Sequence, residues 1–225
     1  ELTEAIASRI GDPYGEVGQH EFQRSIRRSP EQLSSYECVL RYFDYVRNLS
    51  PEGHKAATAC LTDVVEAEPD YSVALAFLGD LHIDDIAFGF GSSDMSSLAY
   101  GRKLIERSFR SETTDAQVQI RLARALLLTN DYEAARHEAE NALRLSPNDT
   151  DIMSVASEVF NHTGAYDRSQ DLITKVELLN PNYPTWMNWH PARYHFVRGE
   201  YREAIRRMEM TQMGWYYMTN AHIAS

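Results

Sequence analysis

Between residues 115 and 149 the apolar positions recur twice with a helical period, and a short polar turn separates the two runs. Leu122, Ala123 and Leu126 share one face of the first run; Ala135, Ala139 and Ala142 share one face of the second. Thr129-Asn130-Asp131 lies between them, Asn130 is suited to stopping the first helix, and Pro147 cannot continue the second. The pattern predicts a helix, a tight turn and an antiparallel helix.

A shift of 34 residues reproduces the unit: Pro147 falls on Pro181, Ala142 on Val176, Ala139 on Ile173, Leu126 on Phe160 and Ala123 on Ser157. Asn130 falls on Gly164 and Tyr132 on Tyr166, and Gly164 suits a left-handed helix end. Upstream, Leu78-Gly79 and His82 match Leu122-Ala123 and Leu126 at a spacing of 44, so an insertion is placed at 84–93 (DDIAFGFGSS). Downstream, Gly199-Glu200-Tyr201-Arg202-Glu203-Ala204 repeats the turn once more.

Small residues at helix-crossing positions, a Gly/Asn-Asp-Tyr turn and a closing Pro make the chain resemble the tetratricopeptide repeat over about residues 34–210. The resemblance implies an all-α superhelix of antiparallel helix pairs, because one pair cannot bury its apolar face alone. The units fall at about 34–71, 72–115, 116–149, 150–183 and 184–213. A capping helix and linker are expected in 1–33 and a terminal helix in 214–225. Two departures stand out: bulky aromatics in the first unit, and Pro191 inside the first helix of the last, where a kink is expected.

Two longer phrases, residues 29–91 and 179–208, with Tyr183-Pro184-Thr185-Trp186 and the Arg198-Gly199-Glu200-Tyr201 turn, are similar to repeat domains downstream of bacterial class III adenylate/guanylate cyclases. Similar domains follow winged-helix domains in bacterial transcriptional regulators. The resemblance implies a cytoplasmic interaction or scaffolding module in a bacterial signalling protein, or alternatively a ligand- or peptide-sensing domain of a regulator. The chain opens on Glu1 rather than Met and reads as an excised fragment.

Charge narrows the partner. Lys and Arg total 22 against 33 Asp and Glu, a formal charge of −11, which repels a phosphate backbone and excludes nucleic acid as the expected ligand. No apolar run approaches the ~20 residues of a membrane-spanning helix. Cys38 and Cys60 each fall on an apolar helix face and read as buried free thiols, although an inter-helix disulfide is geometrically open.

No catalytic machinery and no cofactor site is expected. Asp84 and Asp85 read as solvated loop acids, too few for a calcium loop. His190 and His195 lie five apart and do not share a helix face, and neither HExxH nor CxxC occurs. Phe88-Gly89-Phe90-Gly91 lacks the strand and the lysine of a phosphate loop, and reads as a turn with two phenylalanines tucked onto the stack. In the repeat family the first helices line the concave face. The register places Asp80 and Asp84, then Gln117, Ile120 and Arg124, then Asp151, Glu158, Asn161 and His162, on that face. With Arg124 flanked by acids, the expected partner is a basic or amphipathic protein or peptide segment. Trp186, Trp189, Trp215 and Tyr216 form a candidate docking surface, and a homodimer through it is a further expectation.

Overall fold

The computed structural model describes residues 34–91, 95–112 and 114–213. The expected helices of 1–33 and 214–225, with Trp215 and Tyr216, lie outside the described residues. Within them ten α-helices follow one another: α1 (Ser35–Asn48), α2 (Pro51–Ala67), α3 (Ser72–Ala87), α4 (Met95–Ser111), α5 (Ala116–Leu128), α6 (Tyr132–Leu145), α7 (Thr150–His162), α8 (Tyr166–Leu179), α9 (Trp189–Val197) and α10 (Tyr201–Met210). A 3-10 turn, Thr185–Asn188, precedes α9.

The boundaries follow from local chemistry. Ser34 caps α1 through a capping box with Glu37, and Ser50 caps α2 with Pro51 in its first turn. Asp115, Asp131 and Asp149 cap α5, α6 and α7 by accepting from the first free N–H groups. Three first helices end alike: Asn130, Gly164 and Gly199 take positive φ (62°, 82° and 76°). The next residue then reaches back five positions, Asp131 N–H to Leu126 O (3.0 Å), Ala165 to Phe160 (2.8 Å) and Glu200 to His195 (2.9 Å).

Close approach within each pair rests on small residues at equivalent positions. Gly79 and Gly101 bring α3 and α4 so near that a Cβ on Gly101 would lie 2.5 Å from the Gly79 carbonyl oxygen. Ala123 and Ala135 occupy the same positions in the next pair, fully buried. In the third pair these positions hold Ser157 and Ser169, whose hydroxyls hydrogen-bond at 2.7 Å. One apolar core runs from Cys38 to Met213 along the stack. Phe88 and Phe90 pack against it, as the turn reading expects.

Three expectations are corrected. Cys38 and Cys60 are not free thiols: they form a disulfide between α1 and α2, Cα atoms 5.5 Å apart. Facing apolar positions on two antiparallel helices brought the sulfurs together, and closing the 22-residue separation stabilises the fold by about 3 kcal/mol on the chain-entropy estimate. Asp84 and Asp85 are not loop acids, because α3 continues to Ala87 and buries both. Pro191 causes no interior kink: α9 begins only at Trp189, so the proline occupies its first turn, where no intrahelical hydrogen bond is lost.

Candidate binding pocket

Side-chain spacing decides what reaches the concave face. Asp80 and Asp84 lie four apart on α3, Arg121 and Arg124 three apart on α5, and Tyr42 and Tyr45 three apart on α1. Asp151 and Glu158 are seven apart on α7. Each spacing returns to one helix face, so stacking the first helices converges all eight.

Their contacts form one buried network. Arg124 donates from Nη1 to Asp80 Oδ1 (2.8 Å) and from Nη2 to Asp84 Oδ1 (2.7 Å), and its Nε lies 3.2 Å from Glu158 Oε2. Arg121, fully buried, donates from Nη2 to Asp151 Oδ2 (2.6 Å), with its Nε 3.6 Å from Asp80 Oδ2. Its guanidinium stands 5.4 Å and 5.3 Å from the ring centroids of Tyr42 and Phe77, which stack on each other at 4.1 Å. Tyr42 donates its hydroxyl to Asp80 (2.6 Å) and Tyr45 to Asp84 (2.7 Å).

Burial would raise Asp80, but Arg124 and Arg121 beside it hold its carboxyl below the usual range. Asp84 has the weaker share of the same cations: burial dominates and pushes it up to about 6. Burial, then the adjacent carboxylates, raises both tyrosines, which keeps their hydroxyls as donors.

Beside this network lies a cavity of about 260 Å³. One wall is aromatic, formed by Trp186, Trp189 and His190, with His162 stacked on Trp189 at 5.4 Å and Arg193 5.7 Å from the same indole ring centroid. Val46, Leu49, Ala87, Phe88 and Leu128 supply apolar lining. Trp186 Nε1 donates to Val46 O (2.7 Å), tying the 3-10 turn before α9 to α1 at the edge of the cavity. His190 is buried, and burial, then His162, pushes its imidazole down to about 3, so it is neutral. Among the described residues no group of three or more His, Cys, Asp or Glu is arranged to hold a metal ion.

Of the residues expected on the concave face, Asp80, Asp84, Arg124, Asp151, Glu158 and His162 line the cavity. Gln117, Ile120 and Asn161 do not: Gln117 donates to Asp149 (3.1 Å), Ile120 is sealed in the core, and buried Asn161 donates to His190 O (3.1 Å). Ile120 and Asn161 each precede a cavity residue, about 100° around the helix from it, so they turn into a helix–helix interface. Trp186 and Trp189 line the cavity.

Tyr42, Tyr45, Arg121, His190 and Arg193 are members that sequence reasoning missed. The three-residue spacing of Arg121 from Arg124 was a usable signal. The tyrosines lie in the first unit, where bulky aromatics depart from the repeat pattern, and His190 and Arg193 flank the proline that obscured α9.

No protein-family model matches the sequence, and no curated protein matches it. Solved structures do. TTC0263, a thermophilic TPR protein of Thermus thermophilus, superposes with a TM-score of 0.59 at 13% identity, covering 82% of this chain and 95% of its own. The human IFIT1 dimer with PPP-AAAA gives 0.64 at 16% identity over 82% of this chain, which spans 42% of IFIT1. PilF of Pseudomonas aeruginosa gives 0.50 at 16% identity, covering 79% of this chain and 74% of its own. With the recurring turns and crossing pairs, these likenesses establish the fold: the chain is a tetratricopeptide-type α-α superhelix.

Proposed function

We propose that this chain is a non-catalytic binding module of the sensing kind. Its concave-face cavity captures a ligand or a peptide end and passes the bound state to an output domain of the parent protein. The resemblance suggests a nucleotide cyclase or a winged-helix regulator for that output. One observation carries the reading: the concave face holds a discrete, largely apolar pocket with converging polar groups, bridged on one side by the Trp186–Val46 hydrogen bond. A pocket of about 260 Å³ suits a compact group or the end of a peptide. The basic segment first expected is also disfavoured, because Asp80, Asp84 and Asp151 already hold Arg121 and Arg124.

Thermal denaturation of the full chain against a library of metabolites and short peptides tests this, since a ligand selective for the folded state raises Tm. Ala87→Trp, which fills the cavity, abolishes every genuine shift. Shifts that persist in that variant place binding elsewhere and end the proposal.

A protein-interaction reading has its own support. On the α9–α10 pair Val197, Tyr201 and Ile205 are exposed, and an apolar face of that kind invites a partner or a second copy. Light scattering over a concentration series, with Tyr201→Arg as the control, decides it: a dimer that the substitution dissolves supports this face, and a monomer throughout excludes the homodimer. The Cys38–Cys60 bridge favours an oxidising compartment over the cytoplasmic placement first expected.

A further inference from the structure

We propose that the cavity takes an uncharged aromatic molecule with one hydrogen-bond donor, an indole or a phenol, which donates to the carboxylate of Glu158. This ligand class rests on the binding role proposed for the cavity.

Charge disfavours an ion. Asp80, Asp84, Asp151 and Glu158 line the cavity together with Arg121, Arg124 and Arg193, so an anion meets four carboxylates and a cation three guanidiniums. Neither sign is left in marked excess, and a charge taken out of water needs an unbalanced partner to offset its desolvation.

Glu158 supplies the acceptor. Asp80 and Asp84 each accept from an arginine and a tyrosine, Asp151 accepts from Arg121, and all three acids are nearly sealed from solvent. Glu158 differs: its side chain is 24% exposed, and its carboxylate meets only Arg124 Nε, through Oε2 at 3.2 Å, which leaves Oε1 without a partner among the described residues. Along α7, Asp151, Val155, Glu158 and His162 follow one another at steps of four, three and four residues and line the cavity as one stripe. Glu158 therefore stands one turn from His162, which stacks on the Trp189 ring at 5.4 Å, so the acceptor adjoins the aromatic wall. The same cavity already pairs phenol with carboxylate, where Tyr42 and Tyr45 donate to Asp80 and Asp84 at 2.6 Å and 2.7 Å. Leu49, Phe88, Leu128 and Met213 receive the apolar body. A volume of about 260 Å³, just under the ~300–1,000 Å³ usual for ligand pockets, limits that body to one or two rings.

Calorimetric titration of the full chain at neutral pH compares indole, 1-methylindole, the cation tryptamine and the anion indole-3-acetate. Indole is expected to saturate and 1-methylindole, which has lost the donor, to bind about tenfold more weakly, about 1.4 kcal/mol. Both ions should bind more weakly than indole. Glu158→Ala should erase the preference for indole over 1-methylindole, and Glu158→Gln, which keeps an acceptor oxygen, should retain part of it. A loss of fold alone does not move that ratio. Trp215, Tyr216 and Tyr217 follow soon after Met213 and carry the same two donors, so the titration is repeated with all three replaced by serine. Saturation by indole in both proteins supports a free molecule as the source, and saturation only in the serine variant supports the chain's own side chains. Saturation in neither overturns the proposal, as does equal binding of indole and 1-methylindole or tighter binding of either ion. If the indoles fail while another library compound gives a Tm shift that Ala87→Trp removes, only this ligand class falls. Shifts that survive Ala87→Trp remove the pocket reading itself.

Discussion

At Arg124 three carboxylates, Asp80, Asp84 and Glu158, share one guanidinium, and the competition leaves a pH signature. Asp84, at about 6, binds its proton more tightly in the fold than in the unfolded chain, whose value is near 3.8. Its contribution to stability is therefore present at low pH and lost as pH rises through that window. His190 behaves oppositely. Depressed to about 3, it is neutral in the fold while the unfolded imidazole takes a proton below 6.5, so its stabilising share is lost as pH falls below 6.5. The two effects overlap and oppose each other. Single substitutions separate them. Relative to the parent, Asp84→Asn should gain about 2 kcal/mol as pH rises from about 4 to about 7. His190→Phe should gain a similar amount, about 2–3 kcal/mol, as pH falls over the same range. Urea unfolding at several pH values checks both, and curves parallel to the parent would remove the titration account.

On the scale of helices, the positions that touch were legible and the positions that end a helix were less so. Gly79, Ala123 and Ser157, with Ala135 opposite Ala123, recur because a close helix crossing admits only small side chains, and periodicity exposes that; Gly101 and Ser169 emerge only from the packing. The C-terminal turn of α3 was illegible. Asp84-Asp85 followed by Phe-Gly-Phe-Gly has the local composition of a loop, and what keeps it helical is distant. Arg124 lies forty residues on from Asp84, and Ser97 donates to Asp85 at 2.6 Å. Pro191 misled for a related reason, since the 3-10 turn that delays α9 has no apolar period of its own. The crossing also yields a prediction. Gly101→Ala gains about 1 kcal/mol of helix propensity. The added methyl, however, meets the Gly79 carbonyl at 2.5 Å, a backbone atom that cannot turn aside. Overpacking of about 1–3 kcal/mol should therefore win, giving a net loss near 1 kcal/mol in denaturant unfolding. No loss of stability would mean that α3 and α4 separate more easily than their packing implies.

Across the whole molecule, the concave face could be read from repeat register, but its closure could not. Each unit of a solenoid touches its neighbours, and nothing in a sequence period says that the fifth pair meets the first. Trp186 supplies that meeting: its indole N–H reaches Val46 O at 2.7 Å across 140 residues and turns an open curve into a walled cavity. In the sequence it belongs to an aromatic group that suggests a docking surface, because aromatics are favoured at interface centres. A closing contact between distant repeats adds coupling that a linear array lacks, so it should show in how the two ends open rather than in overall stability alone. Trp186→Phe keeps most of the ring and removes the donor, at a cost of about 1 kcal/mol. If the contact ties the first repeat down, amide exchange in α1 and α2 should quicken about fivefold while α5–α8, inside the stack, stay as protected as before. Uniform acceleration would mean that the whole array already opens as one unit. No change would mean that the disulfide and core packing hold the first pair without it, and the pocket would then owe its wall to the shape of the superhelix rather than to this hydrogen bond.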